Sequence, residues 1–291
     1  MNNIGIIGTG AIGLPIAKRI INAGYKLNFY ARKNYTINEL IEYGGSYFDD
    51  IKKVGENSNI IFLFVRNYED CFDCIKELLV EMNKGIIVIG ATIAPTEIIK
   101  LNELCSDKNI DLVSAPVTGG VQGAETGTLT TIISGDSHVV SQLNNVISSY
   151  SKEIIFLGNS LSLAFSMKAL VQYLVAVNTI TLTECYLLGV NSGLDPNFIY
   201  KVIVNSSGSS KIFESRFPTI MKEDFHKRGT IEIMAKDLNI VMDMSKTSGT
   251  PLLLGTLTKN LFDVSNYTLN NEEDFSAIFK LYKKMIKKGE M

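Results

Sequence analysis

Residues 1–33 read MNNIGIIGTGAIGLPIAKRIINAGYKLNFYARK, and the order strand, glycines, helix within them sets the architecture. Ile4, Ile6 and Ile7 form a short β-branched apolar run of buried-strand type. From Ala11 on, Ile12, Ile16, Ile20 and Ile21 recur at helical spacing, with Lys18, Arg19 and Asn22 between them. Gly8-Thr9-Gly10-Ala11-Ile12-Gly13 therefore sits where a strand turns into a helix, the context that gives a GxGxxG sequence its meaning. Gly8 permits the tight turn, Gly10 lets a pyrophosphate approach the backbone, and Gly13 lets the helix pack close to the strand. The helix N-terminus then offers unpaired amides and a partial positive charge to the phosphates. All six residues are candidate dinucleotide contacts.

The second strand ends in YKLNFYARK, residues 25–33. Binders of NAD usually place an acid there, accepting hydrogen bonds from the ribose hydroxyls. Here Ala31 takes that position, followed by Arg32 and Lys33. Two cations and no acid suit a 2′-phosphate, so the expected cofactor is NADP rather than NAD.

Strand patterns recur at 4–7, 27–30, 60–65, 85–89, 111–114, 130–134 and 153–157, with helical stretches between most of them. Such alternation predicts an α/β fold, a mostly parallel doubly wound sheet with helices on both faces. After Gly158 the strand signal stops, and residues 159–190 read as one helix of about 45 Å at 1.5 Å per residue. Helical segments then run on, punctuated by NSGLDP, NSSGSS and SGTP. The expected domains are 1–158, binding the dinucleotide, and an all-helical 159–291, joined by that long helix.

With 291 residues, 46% apolar and 20% charged, the chain has room for two cores. A net charge of −2 gives no basic face for nucleic acid. The N-terminus shows no charged region ahead of an apolar one, so no signal peptide is expected and the predicted location is the cytoplasm. Residues 161–177 carry Ser162, Ser166, Lys168 and Gln172 and make a poor membrane span. Cys71 and Cys74 form a lone CxxC on a predicted helix, and with two histidines in the chain no metal site is expected, only reduced thiols.

A second glycine-rich stretch, SAPVTGGVQGAETGTLTTIISG at 114–135, could offer the Thr118 hydroxyl and the bare amides of Gly119 and Gly120 to a carboxylate. This stretch resembles the substrate signature of the β-hydroxyacid dehydrogenases, the 3-hydroxyisobutyrate dehydrogenase-like group. The opening pattern from Gly8 to Gly24, GATIAP at 90–95 and MAKD at 234–237 resemble further elements of that family, in order along the chain. The resemblance implies a Rossmann domain followed by a helical one, oligomers with helical domains packed together, and a catalytic lysine on the long helix.

The matching lysine is Lys168, in AFSMKALVQYLVAVN. It sits amid Ala164, Phe165, Ala169, Leu170 and Val171, where a lysine is costly unless paired or used. One such amine suffices for the chemistry: it protonates the oxygen when a carbonyl is reduced and removes the hydroxyl proton in reverse. A partly apolar cleft is expected to lower its pKa toward the working pH. The resemblance further implies that Thr92 and the backbone at Val65 and Arg66 line the cofactor, and that Lys236 closes over it.

Departures from the family pattern gather on the substrate side. Gln172 replaces an asparagine one helical turn after the lysine, Ser114 an aspartate, Thr118 a serine, and Gly229 a phenylalanine. Arg66 stands where the family has a proline after the fourth strand. The expected activity is interconversion of a 3-hydroxyacid, or a related alcohol, and its semialdehyde, in a homodimer or higher homo-oligomer with no nucleic-acid or membrane partner. An imine reductase-like enzyme and a dinucleotide-binding sensor without catalysis remain as alternatives.

Overall fold

The computed structural model describes residues 3–226 and 228–286, and divides into two compact units, Met1–Lys168 and Ala169–Met291. In the first unit, six parallel strands form the main sheet. They are β1 (Ile4–Ile7), β2 (Leu27–Tyr30), β3 (Ser46–Tyr47), β4 (Ile60–Leu63), β5 (Ile86–Ile89) and β6 (Asp111–Ser114), in the order β3-β2-β1-β4-β5-β6. Strands β1, β4 and β5 are buried along their whole length, as expected of a parallel sheet covered on both faces. The covering helices are α1 (Gly13–Asn22), α2 (Asn34–Glu42), α3 (Ile51–Glu56), α4 (Tyr68–Glu81) and α5 (Glu97–Ser106). Two apolar cores result, one containing Ile16, Ile20, Phe29 and Phe62, the other Ile61, Ile75, Leu78 and Leu101.

The sequence predicts one sheet; the structure has two. β7 (Val117–Thr118), β8 (Leu129–Ile133) and β9 (Ser151–Phe156) form a separate three-stranded sheet, with helices α6 (Gly120–Thr126) and α7 (Ser137–Ile147) between its strands. The cause is direction. β8 runs back against β6, meeting it at the antiparallel bridge Ser114–Ser134, and pairs instead with β7 and β9.

Arg19 on α1 donates to the carbonyls of Thr126, 2.9 Å, and Ser149, 3.3 Å. A cation thus caps the C-terminus of α6, where it complements the helix dipole. Gly127, in the left-handed region at φ +71°, gives it room: a Cβ there would lie 2.0 Å from the guanidinium.

Helix α8 (Ser162–Asn191) begins in the first unit and continues into the second. Its start is fixed by Ser134, whose Oγ donates to the Leu161 carbonyl and accepts from the Ala164 amide, both at 3.1 Å, while Phe165 enters the first unit's core. The helix is long and apolar enough to cross a membrane by length and composition alone.

All named elements of the second unit are helical: the rest of α8, α9 (Pro196–Ile203), α10 (Lys211–Lys222), α11 (Ile231–Ser248), α12 (Leu253–Thr268), a 3-10 turn (Phe275–Ile278) and α13 (Phe279–Met285). Its core is aromatic, with Tyr186, Tyr200, Phe213, Phe217 and Phe279 in successive ring contacts. Arg216 pairs with the fully buried Asp274, which also accepts from the Ser276 amide and hydroxyl.

Candidate active site

Each glycine of the first turn has a different physical reason to be there. Gly8 has φ +95°, and a Cβ on it would sit 2.4 Å from the Phe64 carbonyl oxygen. A Cβ on Gly13 would lie 1.9 Å from the Gly8 carbonyl oxygen, so the close approach of turn and helix requires glycine. Gly10 is unlike both: it is exposed, is not left-handed, and a Cβ there would meet no protein atom within 4 Å. The fold itself does not demand glycine at 10, and the space beside it is open to a ligand approaching the backbone. Helix α1 has no side-chain cap at Ile12; Leu14 and Ile16 donate to the Gly10 and Ile12 carbonyls and Pro15 has no N–H, so a phosphate would meet the amides of the glycine turn itself. Thr9 and Ala11 complete the turn.

The sheet register brings the neighbouring candidates alongside. Ile7 pairs with Tyr30 on one side and Leu63 on the other, so the loops after β2 and β4 flank the glycine turn. After β2, Ala31 is buried while Arg32 and Lys33 are exposed, Lys33 lying over the Tyr35 ring. After β4 come the half-buried Val65 and the exposed Arg66, whose guanidinium pairs with Asp70 on the first turn of α4. Thr92, half-buried, follows β5. These are the carboxyl ends of the strands around the reversal between β1 and β4, where open α/β sheets bind their ligands.

In the second glycine-rich stretch, Thr118 closes β7, and Gly119 and Gly120 adopt positive φ, +123° and +68°, at the uncapped start of α6. A Cβ on Gly120 would meet nothing, whereas one on Gly119 would press on Leu129 at 3.1 Å. Ser114 is fully buried at the end of β6.

Lys168 is only 8% exposed, on α8 between Phe165 and Ala169. One turn on, Gln172 donates Nε2 to Oδ2 of Asp237 on α11 at 2.6 Å. The other oxygen of Asp237 pairs with Lys236 Nζ at 3.0 Å. Asp237 is 1% exposed, so one interior carboxylate orients both side chains. The sequence reading missed Asp237 as a site residue: its signal was the Lys-Asp dipeptide, from which only the lysine was taken. Gly229, the other substrate-side departure, faces a ring, since a Cβ on it would touch Phe275 at 3.4 Å. Among the described residues no cluster of His, Cys, Asp and Glu could hold a metal ion.

The architecture and the glycine turn are those of a dinucleotide-binding domain, and comparison with known proteins narrows the class. Residues 3–158 match the family described as the NAD binding domain of 6-phosphogluconate dehydrogenase, and residues 163–282 the NAD-binding family of NADP-dependent 3-hydroxyisobutyrate dehydrogenase. The chain is 27% identical over 284 residues to an L-threonate dehydrogenase of Cupriavidus necator, covering 96% of each protein. It is 28% identical over 287 residues to a 2-(hydroxymethyl)glutarate dehydrogenase of Eubacterium barkeri, covering 97% of this chain and 95% of that one. Its fold matches a 3-hydroxyisobutyrate dehydrogenase from Salmonella typhimurium with a TM-score of 0.91 at 21% identity, covering 97% of this chain and all of that one. The chain belongs to the β-hydroxyacid dehydrogenase family, the 3-hydroxyisobutyrate dehydrogenase-like group, and is an NAD(P)-dependent enzyme acting on hydroxyl groups.

Proposed function

We propose that this enzyme is an NADP-dependent, cytoplasmic oxidoreductase that interconverts a 3-hydroxyacid, or a related alcohol, and its semialdehyde, with Lys168 as general acid and base. The observation that carries this is a lysine 8% exposed among apolar neighbours, one turn before an amide that a buried carboxylate orients. Burying an amine in such surroundings is costly, and the family resemblance gives it a task.

In the oxidative direction the neutral Lys168 amine accepts the hydroxyl proton, and in the reductive direction its ammonium returns a proton to the carbonyl oxygen. The nicotinamide, when bound, exchanges the hydride. Thr118, with the amides of Gly119 and Gly120, holds the substrate carboxylate; Gln172 takes a second polar group of the substrate. Gly8–Gly13, the backbone at Val65 and Arg66, Thr92 and Lys236 bind the cofactor, while Arg32 and Lys33 select the 2′-phosphate. The relatives' names, threonate and 2-(hydroxymethyl)glutarate, both denote hydroxylated carboxylates, the class this constellation would take. The working division is 1–158 for the cofactor and 159–291 for substrate and self-association.

The test is turnover of L-threonate, 3-hydroxyisobutyrate, 2-(hydroxymethyl)glutarate and L-serine with each cofactor. Lys168→Ala is expected to lower turnover about 10²–10⁴-fold, the usual worth of a positioned acid, with NADPH binding retained. Lys168→Arg is expected to fail as well, since a guanidinium stays protonated. Near-normal activity in Lys168→Ala would overturn the assignment.

A further inference from the structure

Arg66 stands where the family pattern has proline, and its side chain is held in an unusual way for so exposed a residue. Its Nε donates to Asp70 Oδ2 at 2.9 Å and a terminal nitrogen donates to Oδ1 at 3.2 Å, a side-on bidentate pair. The carboxylate also accepts from the Arg66 backbone amide at 3.4 Å. Asp70 itself is fixed in the first turn of α4, where its amide donates to the Asn67 cap at 2.9 Å. Arg66 remains 67% exposed while Asp70 is 25% exposed, so the acid is the anchor and the guanidinium the part shown to solvent.

Position gives this pair a use. Strands β2 and β4 lie on either side of β1, so the loops carrying Arg32 and Arg66 border the space in front of the glycine turn. The Arg66 guanidinium beside Asp70 holds its carboxyl below the usual carboxylate range, and the charge of Arg32 adds to this. The β2 loop takes the ribose end of the dinucleotide, and the β4 loop faces it across the glycine turn.

Chemistry separates the two arginines. A guanidinium whose in-plane donors serve a carboxylate is largely neutralised and poorly suited to a phosphate, yet its flat face is held rigid for stacking. We propose that Arg66, held side-on by Asp70, is a stacking platform for the adenine ring of the dinucleotide, with Asp70 as its positioning residue. This rests on the reading of the glycine turn as the dinucleotide site, and it assigns to Arg66 a contact common to NADP and NAD, in contrast to Arg32.

The experiment is equilibrium binding of NADPH and of NADH to the full-length protein, followed by nucleotide fluorescence. Arg66→Ala should weaken both by the same factor, roughly three- to tenfold. Arg66→Lys keeps the charge without the plane and should match the alanine variant. Asp70→Asn should weaken both by a smaller factor alone, and add nothing once Arg66 is alanine; unchanged thermal unfolding of the variants separates positioning from loss of fold. A loss confined to NADPH, or no loss with either nucleotide, overturns the platform, and additive effects of the two substitutions overturn the role of Asp70. Arg32→Ala in the same assay reports on cofactor choice separately: an equal loss of NADH and NADPH there would sink the 2′-phosphate reading while leaving the Arg66 comparison intact.

Discussion

Gln172 and Asp237 are joined by a 2.6 Å hydrogen bond in which the amide nitrogen donates to the carboxylate. This bond ties the amide nitrogen of Gln172 to an interior carboxylate. Asp237→Asn breaks the arrangement, because a neutral amide accepts less strongly from Gln172 and no longer forms an ion pair with Lys236. A loss of about 1.5–3 kcal/mol is expected, the worth of hydrogen bonds to a charged group. Thermal or urea unfolding measures it, and a loss under about 0.5 kcal/mol, as at an ordinary surface site, would contradict the role given to Asp237.

The glycine turn predicts opposite phenotypes for two alanine substitutions. Gly13→Ala drives a Cβ to 1.9 Å from the Gly8 carbonyl oxygen and should destabilise the fold by about 1–3 kcal/mol or more. Gly10→Ala meets no protein atom and should leave stability within about 0.5 kcal/mol of wild type, yet sharply weaken NADPH binding. Denaturation and nucleotide titration on the same two samples decide the matter. Full-strength binding in Gly10→Ala would remove the ligand-based account of that glycine.

Burial pushes the Cys74 thiol up to about 12, helped by the charges of Asp70, Glu77 and Asp73, and burial alone pushes Cys105 up to about 12. Both pKa values are raised above the ordinary 9.0, so the stability of the protonated thiols is fully present below pH 9 and is lost as pH climbs toward 12. Each group should contribute a decline of about 1.4 kcal/mol per pH unit in that window. Cys105→Ala should flatten the alkaline fall in stability by one group's share. Iodoacetamide at pH 8 should also spare both residues in the folded protein, and rapid alkylation of either would refute their assignment as inert buried thiols.

Apolar surface within the second unit predicts self-association. Leu170 and Leu174 on α8 are 51% and 57% exposed, and Leu253, Leu254 and Leu257 on α12 more so. Gly255 lets Tyr173 approach α12, since a Cβ there would lie 3.2 Å from its ring, which brings the two leucine groups onto neighbouring segments. So large an uncovered patch predicts a dimer or higher oligomer. Light scattering should give at least twice the 32.1 kDa chain mass, and Leu174→Glu with Leu257→Glu should lower it. A stable monomer at micromolar concentration would count against the homo-oligomer.

Periodicity and spacing carried most of the fold. The β1 and β2 runs match the observed strands, and the long helix, read as 159–190, forms as Ser162–Asn191. What did not show was pairing at a distance. Nothing in the 130–134 and 153–157 runs says that they leave the main sheet, because strand direction is settled by the bridge between Ser114 and Ser134. The two-residue strands β3 and β7 are too short to show an alternation. At the site, Gly8 and Gly13 were legible because each has a backbone cause. Asp237 and Asp70 were not, because an acid's role depends on partners that approach it in three dimensions, here Gln172, 65 residues before Asp237, and the Arg66 side chain.

The unbroken course of α8 makes it a ruler. Ser134 grips its start at Leu161 and Ala164, and along the helix the bearing from one side chain to the next is set by arithmetic at 3.6 residues per turn. A single residue inserted between Lys168 and Gln172 would swing the two apart by about 100°, so that the amine and the amide would no longer share a face of the helix. Along this segment a substitution keeps every bearing, whereas an insertion changes all that follow it.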